Sequence, residues 1–273
     1  MTNALVLGAD GPVGAYLSRL LQARGTAVFG TLENGSGALA ALGSLGDVNI
    51  VPAFDAVRVA GELPQVTIYA INDGNPDQAA LVAEVLAATP TTRLAHVVDA
   101  AVLRHSPALL AQARQVGDWR RDDGRNAVNA VLHAHDSRLG PRDTLPAIIT
   151  DAAWRASKGE AVPPLELLET GPRDWGWTPE YVDAIARLTA MPRPLDLAIG
   201  SGHPLTTADF VRDAFAFFRL DPGPYVTIVP RPEAPPETPV DTARLKTATG
   251  WSASTWGRDL VRALSEGAAA RAS

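Results

Sequence analysis

Ala4-Leu5-Val6-Leu7-Gly8-Ala9-Asp10-Gly11-Pro12-Val13-Gly14 runs from a continuous apolar stretch, through glycines at every third position, into an amphipathic pattern. Four apolar residues without polar alternation predict a strand buried on both faces. From Pro12 to Arg24, Val13, Leu17, Leu20 and Leu21 fall on one side of a 3.6-residue period, which predicts a helix. Pro12 suits its first turn, where a missing N–H costs nothing. The glycines at 8, 11 and 14 fit three separate demands. The first permits a tight turn, the second lets a pyrophosphate approach the backbone, and the third lets the helix pack on the strand. The helix N-terminus then faces the phosphates. The same turn can also join strand to helix with no ligand, and Asp10 would put a carboxylate into a loop meant for an anion. Both readings stay open on these residues alone.

The pattern repeats outward from that turn. Ala27–Leu32, Val48–Val51, Val66–Ile71, Leu94–Val98 and Ala127–Leu132 read as further strands, with helices at Pro76–Ala88 and from Pro107 to about Trp119. Strands alternating with helices, the strands nearly all apolar, predict an α/β fold with a doubly wound parallel sheet. Glu33 ends the second strand, 19 residues after Gly14. A carboxylate there can accept hydrogen bonds from an adenosine ribose and would repel a 2′-phosphate, which favours NAD over NADP. It serves equally as a solvated residue of the following loop. The second half is richer in proline and glycine. Leu195–Ile199 reads as a return strand and Thr207–Phe218 as a helix that Thr207 can cap. The proline-rich 222–239 segment reads as mostly extended loop, and Trp256–Ala270 as a final helix.

Composition removes several classes of function. The chain has 273 residues, 46% of them hydrophobic, and a net charge of -6 without blocks of like charge. A sizeable core is expected, and nucleic acid is an unexpected partner. No apolar run reaches bilayer-spanning length, and the chain starts directly on a strand, so no membrane partner and a cytoplasmic location are expected. The absence of cysteine excludes disulfides and thiolate chemistry. His133-Ala134-His135 lacks a third ligand of clear spacing, so no metal site is expected.

Gly171-Pro172-Arg173-Asp174-Trp175-Gly176-Trp177-Thr178-Pro179-Glu180-Tyr181-Val182-Asp183-Ala184 is similar to the Arg-Asp-Trp-Gly-His…Asp-Tyr-Val-Glu-Ala segment of GDP-mannose 4,6-dehydratases. Ile199-Gly200-Ser201-Gly202 with Asp209-Phe210-Val211, and Arg231-Pro232 with Asp241, Lys246 and Gly250-Trp251, resemble later parts of those enzymes in the same order. The resemblance covers nearly the whole chain. It implies an extended short-chain dehydrogenase/reductase: a Rossmann domain over 1–137 plus 174–200, and a smaller nucleotide-sugar domain over 138–173 plus 201–273. It implies NAD, less favourably NADP, held by Gly8, Gly11, Pro12, Gly14, Glu33 and Asp55. A nucleotide sugar such as GDP-mannose would be held through its diphosphate by Arg173 and Arg231, since guanidinium forks suit phosphate oxygens. Arg173 pairing with Asp174 or Glu180 is the competing reading. The helices at 76–88 and 107–119 match those that pair subunits in this superfamily, which implies a homodimer or pairing with an active paralogue.

The family's chemistry requires a Tyr and, after three intervening residues, a Lys, with a Thr and a Glu that act on the sugar. Their places fall at Ala108, Gln112, Asp99 and Ala101. No Tyr lies between Tyr69 and Tyr181, and no Lys precedes Lys158, so a shift of register cannot restore the pair. Alanine cannot titrate and glutamine carries no charge, and the loss of one member of such a set already costs orders of magnitude in rate. The expectation is a nucleotide-sugar-binding homologue without dehydratase activity: a pseudoenzyme, sensor or partner subunit, its cofactor not redox-active. The alternatives are a repurposed enzyme that uses Asp99, His105 or His135 for acid–base work, or a weakly active NAD-dependent sugar-nucleotide dehydratase or epimerase.

Overall fold

The computed structural model describes residues 2–33, 35, 37–72, 74–89, 92–169, 171–230 and 240–271. In chain order the elements are β1 (Asn3–Leu7), α1 (Pro12–Ala23), β2 (Ala27–Gly30), α2 (Gly37–Ala41), β3 (Asn49–Ile50), α3 (Ala56–Glu62), β4 (Val66–Asn72), α4 (Pro76–Ala88), β5 (Arg93–Asp99), α5 (Ala100–His105), α6 (Pro107–Asp122) and β6 (Ala127–Leu132). They continue with β7 (His135–Asp136), α7 (Leu145–Ser157), β8 (Leu165–Glu169), β9 (Gly176–Trp177), α8 (Thr178–Thr189), β10 (Leu197–Ile199), α9 (Thr207–Phe217), β11 (Val226–Pro230), α10 (Thr242–Thr249) and α11 (Gly257–Arg271).

The chain divides into two units. The first comprises Met1–His133, Thr178–Ile199 and Ala243–Ser252. Its seven-stranded sheet has the order β10-β6-β5-β4-β1-β2-β3, and the pairings along it are all parallel. This is the doubly wound α/β architecture expected from the alternation of strands and helices. On one face, Leu5, Leu7, Ile68 and Leu94 of the strands pack with Val82, Val85 and Val116 of α4 and α6. The α8 stretch and the 243–252 stretch meet through Tyr181 and Trp251, whose rings lie edge to face with centroids 6.0 Å apart. Arg120 makes a bidentate pair with Asp196 at 2.6 and 2.7 Å, and the Asn129 backbone N–H donates to the same carboxylate at 2.6 Å.

The second unit comprises Ala134–Trp177, Gly200–Thr242 and Ala253–Ser273. Ile149 and Ala153 of α7, Phe210 and Phe215 of α9, and Leu260 and Leu264 of α11 form its core. α7 escapes a sequence reading because half of its buried positions are alanine, which carries little periodic signal. Inside the segment expected to be mostly loop, Val226–Pro230 is instead a strand, paired in parallel with β8 from Leu165↔Val226 to Glu169↔Pro230. The only proline in it is its last residue, where no further ladder N–H is needed. The remainder, 231–239 with Arg231, lies outside the described residues. Thr206, not Thr207, caps α9: its hydroxyl accepts from the Asp209 N–H at 3.0 Å. His135 and Asp136 form a short strand paired with Gly176–Trp177.

Candidate functional site

The β1–α1 turn has the geometry that its glycines suggest. Gly8 holds φ +81°, a left-handed conformation that side chains other than glycine adopt with strain. A Cβ on Gly14 would stand 2.1 Å from the Gly8 carbonyl oxygen, so only glycine lets α1 start this close to the turn. A Cβ on Gly11 would meet nothing nearer than 4.0 Å. The middle glycine therefore leaves backbone open to a ligand, where the outer two serve packing. Gly11 is the N-cap residue of α1 and makes no side-chain cap, and Pro12 occupies the first turn. The first N–H groups of α1 thus lack a side-chain acceptor at the cap, the condition for anion binding at a helix N-terminus. Asp10 is buried.

Beside this turn, the start of α4 and the end of β2 converge. The Asn75 side chain caps α4 by accepting from the Asp77 N–H at 3.0 Å, and its Nδ2 donates to Glu33 Oε2 at 3.3 Å. Gln78 is buried and its Nε2 donates to the Ile71 carbonyl at 2.9 Å. A Cβ on Gly8 would lie 3.0 Å from Gln78 Nε2 and 3.1 Å from Glu33 Oε1. Gly8, Glu33, Asn75 and Gln78 therefore form one corner. Sequence reasoning finds Gly8 and Glu33. Asn75 before Pro76 carries a readable capping signal, but nothing in the alanine-rich α4 marks Gln78 as inward-facing.

At the two α6 positions where the resemblance places the tyrosine and the lysine, Ala108 and Gln112 offer no titratable group. Ala101 and Ala108 are exposed. The Gln112 side chain is turned into the fold: it accepts from Asn72 Nδ2 at 2.9 Å and donates through Nε2 to the Ala79 carbonyl at 2.6 Å. Asp99 caps α5, with Oδ1 accepting from the N–H groups of Ala101 at 2.6 Å and Val102 at 3.2 Å. His105 is the exposed last residue of α5, and Ser106 caps α6. Deeper in the sheet, His96 Nδ1 lies 2.9 Å from Asn129 Oδ1, and Asn129 Nδ2 donates to the Ala113 carbonyl at 2.9 Å. Burial pushes the His96 pKa down, which keeps its imidazole neutral.

Asp55 faces a different group. Arg58 donates to both of its carboxylate oxygens, at 2.7 and 2.5 Å. The pair lies at the surface, and hydrogen bonding to Arg58 holds the Asp55 pKa below its ordinary value.

In the second unit, Arg173 and Asp174 face separate tasks. Asp174 Oδ1 accepts from the Ser201 N–H at 2.8 Å and the Ser201 hydroxyl at 2.5 Å, and Oδ2 accepts from the Gly202 N–H at 2.8 Å. A Cβ on Gly200 would stand 2.6 Å from Asp174 Oδ2, so glycine there lets the loop close over the carboxylate. The Arg173 backbone pairs with Leu205 in both directions, at 3.0 and 2.8 Å. Its guanidinium forms no hydrogen bond or ion pair among the described residues. The Asp136 oxygens accept from the Ser137 N–H at 2.6 Å and the Thr144 hydroxyl at 2.7 Å. Among the described residues no cluster of three metal-ligating side chains occurs, and no helix is long and apolar enough to cross a membrane.

Comparison with known proteins agrees with this frame. The sequence profile of the family described as GDP-mannose 4,6 dehydratase matches residues 107–264. Among solved structures, UDP-glucose 4-epimerase of Thermotoga maritima with UDP-glucose is similar at TM-score 0.80 and 14% identity, over 100% of both chains. dTDP-glucose 4,6-dehydratase of Bacillus anthracis in complex with NAD is similar at TM-score 0.79 and 12% identity, over 98% of this chain and 96% of that one. RMD of Pseudomonas aeruginosa, complexed with NADPH, is similar at TM-score 0.72 and 15% identity, over 99% of this chain and 100% of that one.

Proposed function

The chain belongs to the GDP-mannose 4,6-dehydratase family, among the sugar-nucleotide dehydratases and epimerases, and on that footing we propose that it binds a nicotinamide dinucleotide and a nucleotide sugar without dehydrating the sugar. The observation that carries this reading is Gln112. Its amide is committed to Asn72 and the Ala79 carbonyl, where the family's chemistry calls for a charged lysine. Ala108, four residues earlier, offers no proton donor in place of the tyrosine. Without that pair, the family's means of lowering the barrier to removing the sugar hydroxyl proton as hydride leaves is missing.

The binding side of the reading rests on different residues. Gly8, Gly11 and Gly14 divide their work as a pyrophosphate cradle requires, and Glu33 stands beside Gly8 where a ribose would lie. The similar structures hold NAD in one case and NADPH in another, and Glu33 favours NAD here. A dinucleotide held in this cradle would supply a nicotinamide ring as hydride acceptor. This chain's own contribution is to hold the pyrophosphate on the α1 N-terminus and the ribose against Glu33. Arg173, with its backbone fixed to Leu205 and its guanidinium without a hydrogen bond or ion pair among the described residues, is the diphosphate ligand of the nucleotide sugar.

Incubation with GDP-mannose and NAD⁺, followed by detection of a 4-keto sugar, tests the catalytic half of the reading. No product is expected, while NAD⁺ raises the melting temperature. Steady formation of a 4-keto product overturns it.

A further inference from the structure

A cavity of about 290 Å³ opens on the flank of α7 in the second unit, at the lower end of the range of small-molecule sites. Arg142 of the loop before α7, Ile148, Asp151 and Arg155 of α7, Val162 and Leu165 where the chain enters β8, and Arg271 at the end of α11 all line it. Residues 148, 151 and 155 share one face of the helix, three and four positions apart. Arg173 is not a lining residue.

The walls are of two kinds. Val162 and Leu165 are partly buried against the core of the second unit, and Ile148 is half-buried, so one side is apolar. The arginines differ in how far they are committed. Arg155 donates through Nε to Glu160 Oε2 at 2.8 Å, which balances its charge. Arg271 donates through Nη1 to the Arg138 carbonyl at 3.1 Å. That acceptor is neutral, and the bond ties Arg271 to the loop that carries Arg142. Arg142 makes no hydrogen bond or ion pair among the described residues. Three arginines against Asp151 and Glu160 leave one positive charge in excess.

A guanidinium is a planar fork of N–H donors that matches the two oxygens of a carboxylate. An apolar wall beside such a fork suits a ligand with both characters. One charge in excess matches a monoanion, whereas the Asp151 carboxylate would oppose a more highly charged phosphate. We propose that this cavity is a further ligand site that binds a small carboxylic acid with an apolar body, its carboxylate on Arg142 and Arg271 and its body over Ile148, Val162 and Leu165. The site draws on no residue assigned to the dinucleotide or the nucleotide sugar.

The test titrates phenylacetate, acetate and 2-phenylethanol against the wild-type chain, with binding followed by ligand relaxation in NMR. Phenylacetate is expected to bind at least about tenfold more tightly than acetate, which lacks the body, and than 2-phenylethanol, which lacks the charge. Arg142→Gln removes no bond within the fold and is expected to weaken phenylacetate by about tenfold. Arg219→Gln, at an exposed arginine of the same unit outside the cavity, is expected to leave it unchanged. A wild-type chain that does not bind phenylacetate, or binds the three compounds alike, overturns the proposal without any variant. Equal losses in the two variants assign the binding to general surface charge and overturn it too, as does an affinity that Arg142→Gln leaves unchanged.

Discussion

Asn72 donates to Gln112 at 2.9 Å, which ties the end of a central strand to the second turn of α6. Through its other end Gln112 holds the Ala79 carbonyl of α4. The side chain thus joins three elements of the first unit. Its replacement is a structural change before it is a chemical one.

Gln112→Ala should therefore lower stability by ~1–3 kcal/mol, the cost of leaving a buried amide and carbonyl unpaired. Chemical denaturation with an unchanged slope is the check. The double variant Ala108→Tyr with Gln112→Lys should be destabilised as well and gain no 4-keto product, because the lysine takes over a position wired into the fold. Restored turnover would show that only the two side chains separate this chain from activity.

NAD⁺ should stabilise the chain more than NADP⁺ in thermal unfolding if Glu33, which stands beside Gly8, holds the ribose as proposed. A ligand at a hundred times its dissociation constant contributes about 2.7 kcal/mol, so the difference is measurable. Glu33→Gln should bring the two cofactors closer together. Equal shifts in the wild type would remove Glu33 from the selection.

Arg173→Ala should weaken GDP-mannose binding by at least about tenfold, the scale of a lost charge-assisted hydrogen bond, and leave the melting temperature nearly unchanged. The reason is that its guanidinium makes no hydrogen bond or ion pair among the described residues whose loss would matter to the fold. Asp174→Ala should do the reverse, costing several kilocalories per mole as three donors lose their acceptor. Comparable losses of stability in both variants would contradict the division of labour between these neighbours.

Asp196 gives a pH signature. Burial raises its pKa, but hydrogen bonds from Arg120 and from the Asn129 backbone, together with the Arg120 charge, outweigh burial and hold it below the ordinary value of 3.8. A carboxylate depressed in the fold stabilises it above the unfolded pKa and loses that contribution as pH falls through the folded one. Asp196→Asn should thus cost ~1–2 kcal/mol at pH 7, discounted for partial exposure. The difference from wild type should begin to narrow below about pH 4 and go on narrowing as pH falls further. A gap that stays constant through that acid range would mean that packing, not charge, sets it.

Asp99→Asn should cost little in stability, since asparagine also caps helices, and should abolish any turnover only if the chain is a repurposed enzyme. Asp99 already accepts from the N–H groups of Ala101 and Val102. Activity lost on this substitution would favour that second reading.

The sheet is legible in the sequence because its strands are continuous apolar runs and the turn at Gly8–Gly14 leaves few alternatives. Pro76, Pro107 and the apolar stripes place α4 and α6 within a few residues. The second unit is harder. α7 buries alanines, and β11 sits in a run where prolines obscure the strand. At the candidate site, glycines and a carboxylate signal themselves by spacing. Gln78 and the Asn72–Gln112 bond do not, since an inward-facing amide has no periodic signature and its partner is distant in sequence.

The closure of the 200–202 loop over Asp174 has a bearing on how such chains are recognised. The Arg-Asp-Trp-Gly segment ranks among the clearest marks of kinship in this sequence, yet the aspartate in it works as a bolt on the 200–202 loop. Drift that silences a reaction would leave this mark intact. Likeness at that point speaks for foldability and says nothing of whether a reaction is catalysed.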